Sequence, residues 1–219
     1  VYTLEGWFYL TAHGGGTIIS SKGILCTTPS GTSSSNQHGW GFYNSTQLAI
    51  VLKDASNYVY PTVTGGFTLN QWFHMALVGS SSGGTIYING VNVGTWSDSS
   101  AWSSATNYVI GVGELAGNTG SFWGSTYSGY ISNLRFVKGT AVYTSNFTPP
   151  TAPLTAIPNT QLLTCQDNRF KDNSSNAFAL TVGGTPYVQA FSPFYPTTAY
   201  NPLTVGGSGY FDGTGDYLS

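Results

Sequence analysis

Three tryptophans stand in polar, loop-like stretches of the sequence, where an indole ring is free to contact a ligand. Trp96 and Trp102 lie in "GTWSDSSAWSS", and Trp123 lies in "GSFWGS". An exposed indole beside hydroxyls and amides offers a flat apolar surface on which a sugar ring stacks. We therefore expect Trp96, Trp102 and Trp123 to contact a carbohydrate ligand. The alternative is that they pack into neighbouring loops or a subunit interface.

The acidic residues do not form a pattern typical of catalysis. The chain has eight Asp and Glu residues, and a glycoside hydrolase needs two of them about 5 Å or more apart in one cleft. Glu5 is the acid at the centre of a predicted strand, and we expect it to be buried and hydrogen-bonded to His74 or to a neighbouring backbone group. His13, His38 and His74 show no metal-ligand spacing, and no nucleophile motif or phosphate loop occurs. We predict no catalytic residues and no metal site.

Composition points to an extracellular all-β protein. Of the 219 residues, 6% are charged and 15% are aromatic, with 29 glycines, so solubility depends on hydroxyl and amide side chains. A net charge of −2 leaves no basic surface for nucleic acid. Nucleic-acid binding is therefore not expected. No apolar run approaches the roughly 18 residues of a membrane-spanning helix, so membrane insertion is not expected either.

The two cysteines, Cys26 and Cys165, lie far apart in the sequence and match no metal-binding spacing. Cys165 stands inside the apolar stretch "QLLTCQ". We therefore predict a buried thiol at Cys165 rather than one half of a disulfide.

Alternating apolar residues predict strands along most of the chain. "TLEGWFYL" (3–10) and "QWFHMALVG" (71–79) are apolar or aromatic on both faces, which is typical of central strands covered on both sides. Trp7, Tyr9 and Trp72 are therefore expected to pack in the core or on a sheet face. Further strands are predicted at 47–54, 107–115, 129–139, 160–166 and the C-terminal end.

Turn residues divide these strands into short antiparallel units. Asn89-Gly90, between two alternating runs in "TIYINGVNVGTW" (85–96), predicts a two-residue hairpin. Gly183-Gly184 predicts a second, weaker one. Ten or more short strands with almost no helix signal predict an all-β, antiparallel β-sandwich or jelly roll.

A proline-rich stretch, "FTPPTAPLTAIPNT" (147–160), separates the chain into two unequal parts. Residues 1–150 are predicted to form the main part of the sandwich. The part at 151–219 has too few strands to close a sandwich alone. We expect it to supply a linker and strands that complete either the same sandwich or that of the next copy, which makes one domain overall.

The strand motifs resemble those of laminin-G-like, concanavalin A-like jelly rolls, in the form found in phage and marine viral structural proteins. The resemblance rests on "TLEGWFYL", "QWFHMALV", "GTIYINGVNVG", "GYISNLRFVKGTAVYTSNFTPPTAPLTA", "NTQLLTCQDNRFKDNSSNAFALTV" and "GSGYFDGTGDYLS". In that family the last two stretches ordinarily precede the first, so the strand order is permuted here.

The permutation allows three arrangements of the C-terminal strands. They close the fold within this chain, they belong to one slice of a tandem array, or they are donated to the next subunit of a fibre. An unpaired strand edge with an apolar face recruits a neighbouring chain. The sequence therefore favours an array or a fibre, and its partners are expected to be other copies of itself.

The resemblance also implies a possible calcium ion at the rim of the sandwich, with oxygens from Asp172, Asp212 or Asp216. The family's acidic pair in the "GYISN" strand is replaced by Ser132 and Asn133. We therefore expect the three aspartates to stabilise turns, and no cofactor is predicted.

Two function classes follow from the resemblance. The first is a non-enzymatic structural or adhesive module of an extracellular fibre, virion appendage or capsid decoration, with host-surface glycans as possible ligands. The second is a carbohydrate-active enzyme or its sugar-binding appendage. The lack of a recognisable acid pair favours the first class.

Overall fold

Two antiparallel sheets pack face to face in the computed structural model, which describes residues 1–17, 20–27, 39–51, 58–97, 108–111, 126–194 and 207–219. In these ranges the elements are the strands β1 (Tyr2–Leu10), β2 (Lys22–Thr27), β3 (Gly39–Phe42), β4 (Leu48–Val51), β5 (Tyr58–Val59), β6 (Trp72–Ser80), β7 (Gly83–Ile88), β8 (Val91–Trp96), β9 (Tyr108–Ile110), β10 (Ser128–Lys138), β11 (Thr160–Thr164), β12 (Val182–Gly183), β13 (Tyr187–Gln189), β14 (Ser208–Asp212) and β15 (Tyr217–Leu218). The predicted all-β, antiparallel sandwich is confirmed. No helix in the described residues is long and apolar enough to span a bilayer.

We name the two layers sheet A and sheet B. Among the described residues, sheet A has eight strands in the order β13-β14-β10-β1-β6-β7-β8, with β11 also paired to β10. Sheet B has seven strands in the same ranges, in the order β12-β15-β9-β2-β3-β4-β5. Strand β1 lies at the centre of sheet A between β10 and β6, as its two apolar faces predict.

Alternation along β1 separates the core from the outer face of sheet A. Leu4 and Phe8 point into the core between the sheets and have no exposed surface. Because successive side chains point to opposite faces, Glu5, Trp7 and Tyr9 lie on the outer face. That outer face carries the side chains described as the candidate site.

A β-bulge in β10 sets which of its side chains share this outer face. The register advances from the pair Trp7–Ser132 to the pair Glu5–Arg135, so β10 holds one residue more than β1 in this interval. Asn133 takes the positive φ of 56° that the bulge requires. Ile131 and Leu134 therefore both face the core, and Arg135 is placed on the outer face beside Glu5.

The two predicted hairpins have different outcomes. Asn89 and Gly90, with φ of 48° and 78°, join β7 to β8 in the two-residue turn that was predicted. The hairpin predicted at Gly183-Gly184 is wrong, because β12 pairs with β15 in sheet B whereas β13 pairs with β14 in sheet A. The connection at Gly184 crosses between the two sheets instead.

The C-terminal strands pair with the first part of the same chain. In β14, Tyr210 and Phe211 lie opposite Tyr130 and Gly129 of β10, and Phe211 is completely buried in the core. Leu218 of β15 pairs with Ile110 of β9. These strands therefore complete both sheets within the chain, and the array or fibre that the sequence favours stays a prediction.

The proline-rich stretch lies against sheet A and is held there by polar contacts. The side-chain oxygen of Asn133 accepts hydrogen bonds from the Leu154 amide and from Gln166 Nε2, both at 2.7 Å. Arg135 Nη1 donates to the Thr155 carbonyl at 2.7 Å. The bulge in β10 thus anchors the segment that connects the two parts of the chain.

Both cysteines are free and buried, which confirms the prediction of a buried thiol at Cys165.

Candidate functional site

Five aromatic residues lie in one row across the outer face of sheet A. The register pairs adjacent members of the row on five neighbouring strands, in the order Trp72 (β6), Tyr9 (β1), Tyr130 (β10), Tyr210 (β14) and Tyr187 (β13). Strands in a sheet are about 4.8 Å apart, so the row is about 19 Å long. We call this row the aromatic platform.

Neighbouring rings of the platform are in contact with one another. The ring centroids are 5.7 Å apart for Tyr9 and Trp72, 5.6 Å for Tyr9 and Tyr130, and 4.9 Å for Tyr130 and Tyr210. Tyr187 follows at 4.8 Å from Tyr210. Aromatic pairs on facing strands stabilise a sheet, so the platform is a rigid surface.

Phe191 packs against three of the five rings of the platform. Its ring centroid lies 5.0 Å from Tyr9, 5.3 Å from Trp72 and 4.8 Å from Tyr130. At the other end, Tyr187 on the edge strand β13 is 49% exposed. The open end of the platform therefore consists of Tyr210 and Tyr187, and Tyr130 lies between them and the three-ring contact of Phe191.

The platform also carries hydroxyl groups that are close together. Burial, followed by the neighbouring phenols of Tyr187, Tyr210 and Tyr9, raises the pKa of Tyr130. None of these four hydroxyls has a hydrogen-bond partner among the described residues. Each neutral phenol retains both its donor and its acceptor capacity for a ligand.

The strands of the platform carry little charge close to its rings. The positions two residues before and after each platform residue on its own strand hold no Lys or Arg, and the one acid among them is Asp212. Asp212 is exposed and follows Tyr210 by two residues on β14, so it lies on the same face. A ligand at this end of sheet A therefore meets aromatic rings, hydroxyls and one carboxylate.

A buried polar cluster occupies another part of the same outer face. Glu5 has no exposed surface, and its Oε1 accepts hydrogen bonds from Arg135 Nε at 2.9 Å and Nη2 at 2.5 Å. Its Oε2 accepts one from the Tyr143 hydroxyl at 2.7 Å. His74 Nε2 lies 3.3 Å from Oε2, but outside the alignment of a directed hydrogen bond. We call these four residues the Glu5 cluster.

These neighbours determine the charge state of Glu5. Burial raises its pKa, but the approach of His74, the positive charge of Arg135 and the Tyr143 hydrogen bond outweigh burial, so that the pKa of Glu5 lies below its ordinary value. Burial also raises the pKa of Tyr143, which therefore remains a hydrogen-bond donor. An ionised carboxylate without access to solvent has no proton to give to a leaving group.

The ring of Tyr143 stacks on Phe147, with centroids 3.5 Å apart, and Phe147 packs edge-on against His74 at 5.7 Å. The segment after β10 therefore covers the cluster. The expectation of a buried Glu5 next to His74 is confirmed, and Arg135 and Tyr143 are its further partners.

Comparison with protein families identifies the superfamily of this fold. A laminin G family model, described as concanavalin A-like lectin/glucanases superfamily, matches residues 1–143 of the 219. The chain belongs to the concanavalin A-like lectin/glucanase superfamily. This confirms the resemblance seen in the strand motifs. A comparison with curated proteins found no match.

Solved structures with a similar fold come from different organisms. A heptameric SAP-like pentraxin from Limulus polyphemus has 19% identity and a TM-score of 0.46, with 67% of this chain and 65% of that chain covered. A putative carbohydrate binding protein from Bacteroides ovatus has 15% identity and a TM-score of 0.51, with 78% and 48% covered. Domains LG4-5 of the mouse laminin alpha1 chain have 16% identity and a TM-score of 0.46, with 68% and 40% covered. This chain thus spans less than two thirds of each of these structures, and its likeness to the Bacteroides ovatus protein concerns the fold alone.

The three tryptophans predicted from the sequence have different positions in this lectin-like sandwich. Trp96 ends β8, is only 7% exposed and packs in the core between the sheets. Its indole is therefore not the exposed ring that the polar sequence around it suggests. Trp102 and Trp123 lie outside the described residues, and a ligand contact there stays a prediction.

The aspartates considered for calcium accept hydrogen bonds from the protein itself. Asp172 accepts from the amides of Leu163 and Phe178, both at 3.0 Å. Asp216 has no exposed surface and accepts from the Asp212 amide at 2.9 Å. No cluster of three metal-ligating side chains occurs in the described ranges, and the absence of a cofactor stays a prediction.

Sequence reasoning missed the aromatic platform as a unit. Trp72 and Tyr9 were expected to pack, and Tyr130, Tyr187 and Tyr210 were not connected with them. Their alternation within each strand is visible in the sequence. The register that aligns five strands is not, because strands β13 and β14 are distant in sequence from β1 and β6.

Proposed function

We propose that this chain is a non-enzymatic adhesive module that binds glycans on a cell surface as part of an extracellular appendage, such as a fibre or a virion decoration. The superfamily includes lectins and glucanases. The environment of the carboxylates is therefore the feature that distinguishes binding from hydrolysis. Fold alone does not decide this.

One observation carries the proposal: each described carboxylate already accepts a hydrogen bond from the protein. This holds for Glu5, Asp167, Asp172, Asp212 and Asp216. Glu5, the acid nearest the centre of sheet A, is in addition buried and paired with Arg135. These contacts favour a binding role over glycoside hydrolysis, which requires an acid that exchanges a proton with the substrate.

The partners proposed for the module are other copies of itself and cell-surface glycans. Because β14 pairs within its own chain, assembly would use surfaces other than a donated strand. Trp102 and Trp123 remain proposed ligand contacts in addition to any on sheet A.

The test is a screen of the purified chain against immobilised glycans, with assays of reducing-end release on every glycan that binds. Binding without release supports an adhesive module. Release of reducing ends at an enzymatic rate would contradict the adhesive module and support a glycoside hydrolase. Binding to no glycan would contradict the adhesive role. Sedimentation velocity tests self-association separately.

A further inference from the structure

The aromatic platform ends in a ring that its neighbours leave half exposed, that of Tyr187. Cross-strand aromatic contacts stabilise a sheet when the rings cover one another. Tyr187, however, stands on the edge strand with 49% of its surface exposed, and it contacts Tyr210 at 4.8 Å. An exposed aromatic ring held in place by a neighbour is a typical binding surface.

The chemistry of the platform selects a ligand class. Apolar ring faces alternate with phenol hydroxyls that have no partner among the described residues. A pyranose ring presents the complementary pattern, because its C–H groups form an apolar face and its hydroxyls lie around the rim. Tyrosine supplies both kinds of contact from a side chain with few rotatable bonds.

The charges on the platform strands disfavour an acidic ligand. The platform has no Lys or Arg at the neighbouring strand positions, and Asp212 lies on the same face as Tyr210. A carboxylate or sulfate on a glycan would meet Asp212 without a cation to offset the repulsion. Asp212 instead offers an acceptor for the hydroxyl groups of a neutral sugar.

The length of the row and the position of Phe191 indicate where on the platform a ligand binds. The platform crosses the strands over about 19 Å, and Phe191 packs against Trp72, Tyr9 and Tyr130. We propose that the open end of the aromatic platform, formed by Tyr210 and Tyr187, binds the uncharged pyranose rings of a neutral oligosaccharide. This rests on the proposed glycan-binding function and adds the site and the ligand class.

The test compares single variants on a panel of neutral polysaccharides (laminarin, galactan and mannan) and one acidic polysaccharide, alginate. Tyr187→Ala removes an exposed ring, and Tyr60→Ala is its matched control. Tyr60 is 37% exposed and follows β5 in sheet B. Both variants are expected to keep the melting temperature of the parent chain, because neither tyrosine is buried.

We expect the parent chain to bind at least one neutral polysaccharide and not alginate. Tyr187→Ala should weaken that binding about tenfold, as for the truncation of an aromatic contact at a binding site, while Tyr60→Ala leaves it unchanged. Tyr210→Ala should weaken it as well.

Unchanged binding in both Tyr187→Ala and Tyr210→Ala would overturn the site and leave the proposed function standing. Binding of alginate alone would overturn the ligand class. A parent chain that binds nothing in a wide glycan screen would overturn the proposed function itself.

Discussion

Arg135 donates two hydrogen bonds to the same carboxylate oxygen of Glu5, across the antiparallel pair of β10 and β1. Both side chains are buried, with 5% of Arg135 and none of Glu5 exposed. A buried ion pair stabilises a fold mainly when its other polar atoms also have partners. Here Tyr143 and the Thr155 carbonyl supply them.

Removing one member of this pair is expected to destabilise the protein strongly. Arg135→Met leaves the carboxylate of Glu5 buried without its cation, which costs about 3–5 kcal/mol of the free energy of unfolding. Urea denaturation measures this loss. The double variant Glu5→Gln, Arg135→Met removes both charges and is expected to lose less. A double variant as unstable as Arg135→Met would contradict the account of the pair.

The Glu5 cluster also predicts a pH dependence. Because the pKa of Glu5 in the folded protein lies below the reference value of 4.5, its stabilisation is fully present above pH 4.5. It is lost as the pH falls through the lower pKa of the folded state. The free energy of unfolding should therefore fall on acidification below about pH 4.5.

Glu5→Gln should flatten this acidic decline, whereas Asp212→Asn, which changes an exposed acid, should retain it. Denaturation of the three proteins at a series of pH values is the measurement. Identical slopes in the parent chain and in Glu5→Gln would show that Glu5 is not the group concerned.

Asn133 should be sensitive both to its backbone conformation and to its side chain. Its φ of 56° is unfavourable for residues with a side chain, and its side-chain oxygen accepts two hydrogen bonds. Asn133→Gly loses the hydrogen bonds but tolerates the positive φ. Asn133→Ala loses the hydrogen bonds and also disfavours the positive φ. Alanine should be the less stable variant by about 1 kcal/mol. Equal unfolding free energies would argue against the bulge geometry.

A substitution at Phe211 tests whether the C-terminal strands close the sandwich. Phe211→Asp places a carboxylate in the core, where Phe211 has no exposed surface, so the variant should unfold. Thr214→Asp adds the same charge at an exposed position three residues later and should fold normally. Circular dichroism compares the two, and a Phe211→Asp variant of parent stability would mean that β14 does not complete sheet A.

The thiols should be unreactive until the protein unfolds. Burial raises the pKa of Cys165 to about 12 and also raises the pKa of Cys26, and the thiolate is the reactive form. A thiol reagent at pH 8 should label neither cysteine in the native protein and both after denaturation. Rapid labelling of the native chain would contradict the burial of these side chains.

The sequence predicts the parts of this fold that depend on local patterns. The alternation in "TLEGWFYL" identifies β1 as a central strand, and Asn89-Gly90 identifies the β7–β8 turn because that turn needs positive φ at adjacent residues. Gly183-Gly184 gives a similar local signal, yet the flanking strands enter different sheets. Local turn chemistry does not encode which sheet a strand joins.

The candidate site depends on contacts that no local pattern carries. Arg135 meets Glu5 only because one extra residue at Asn133 reverses the alternation of β10. Trp96 looks exposed among serines, but its ring packs over Gly84, at a position where a Cβ would lie 2.3 Å from the indole. The platform likewise depends on the register between distant strands. Residue types indicate carbohydrate binding, and tertiary pairing decides which aromatic rings are available.

The most direct measurement is a titration of the ¹⁵N-labelled chain with a neutral oligosaccharide from the polysaccharide that it binds best. The account predicts chemical-shift changes at the amides of Tyr130, Tyr187 and Tyr210, with the sugar recovered intact. Changes confined to sheet B or to the Glu5 cluster, or cleavage of the sugar, would contradict it.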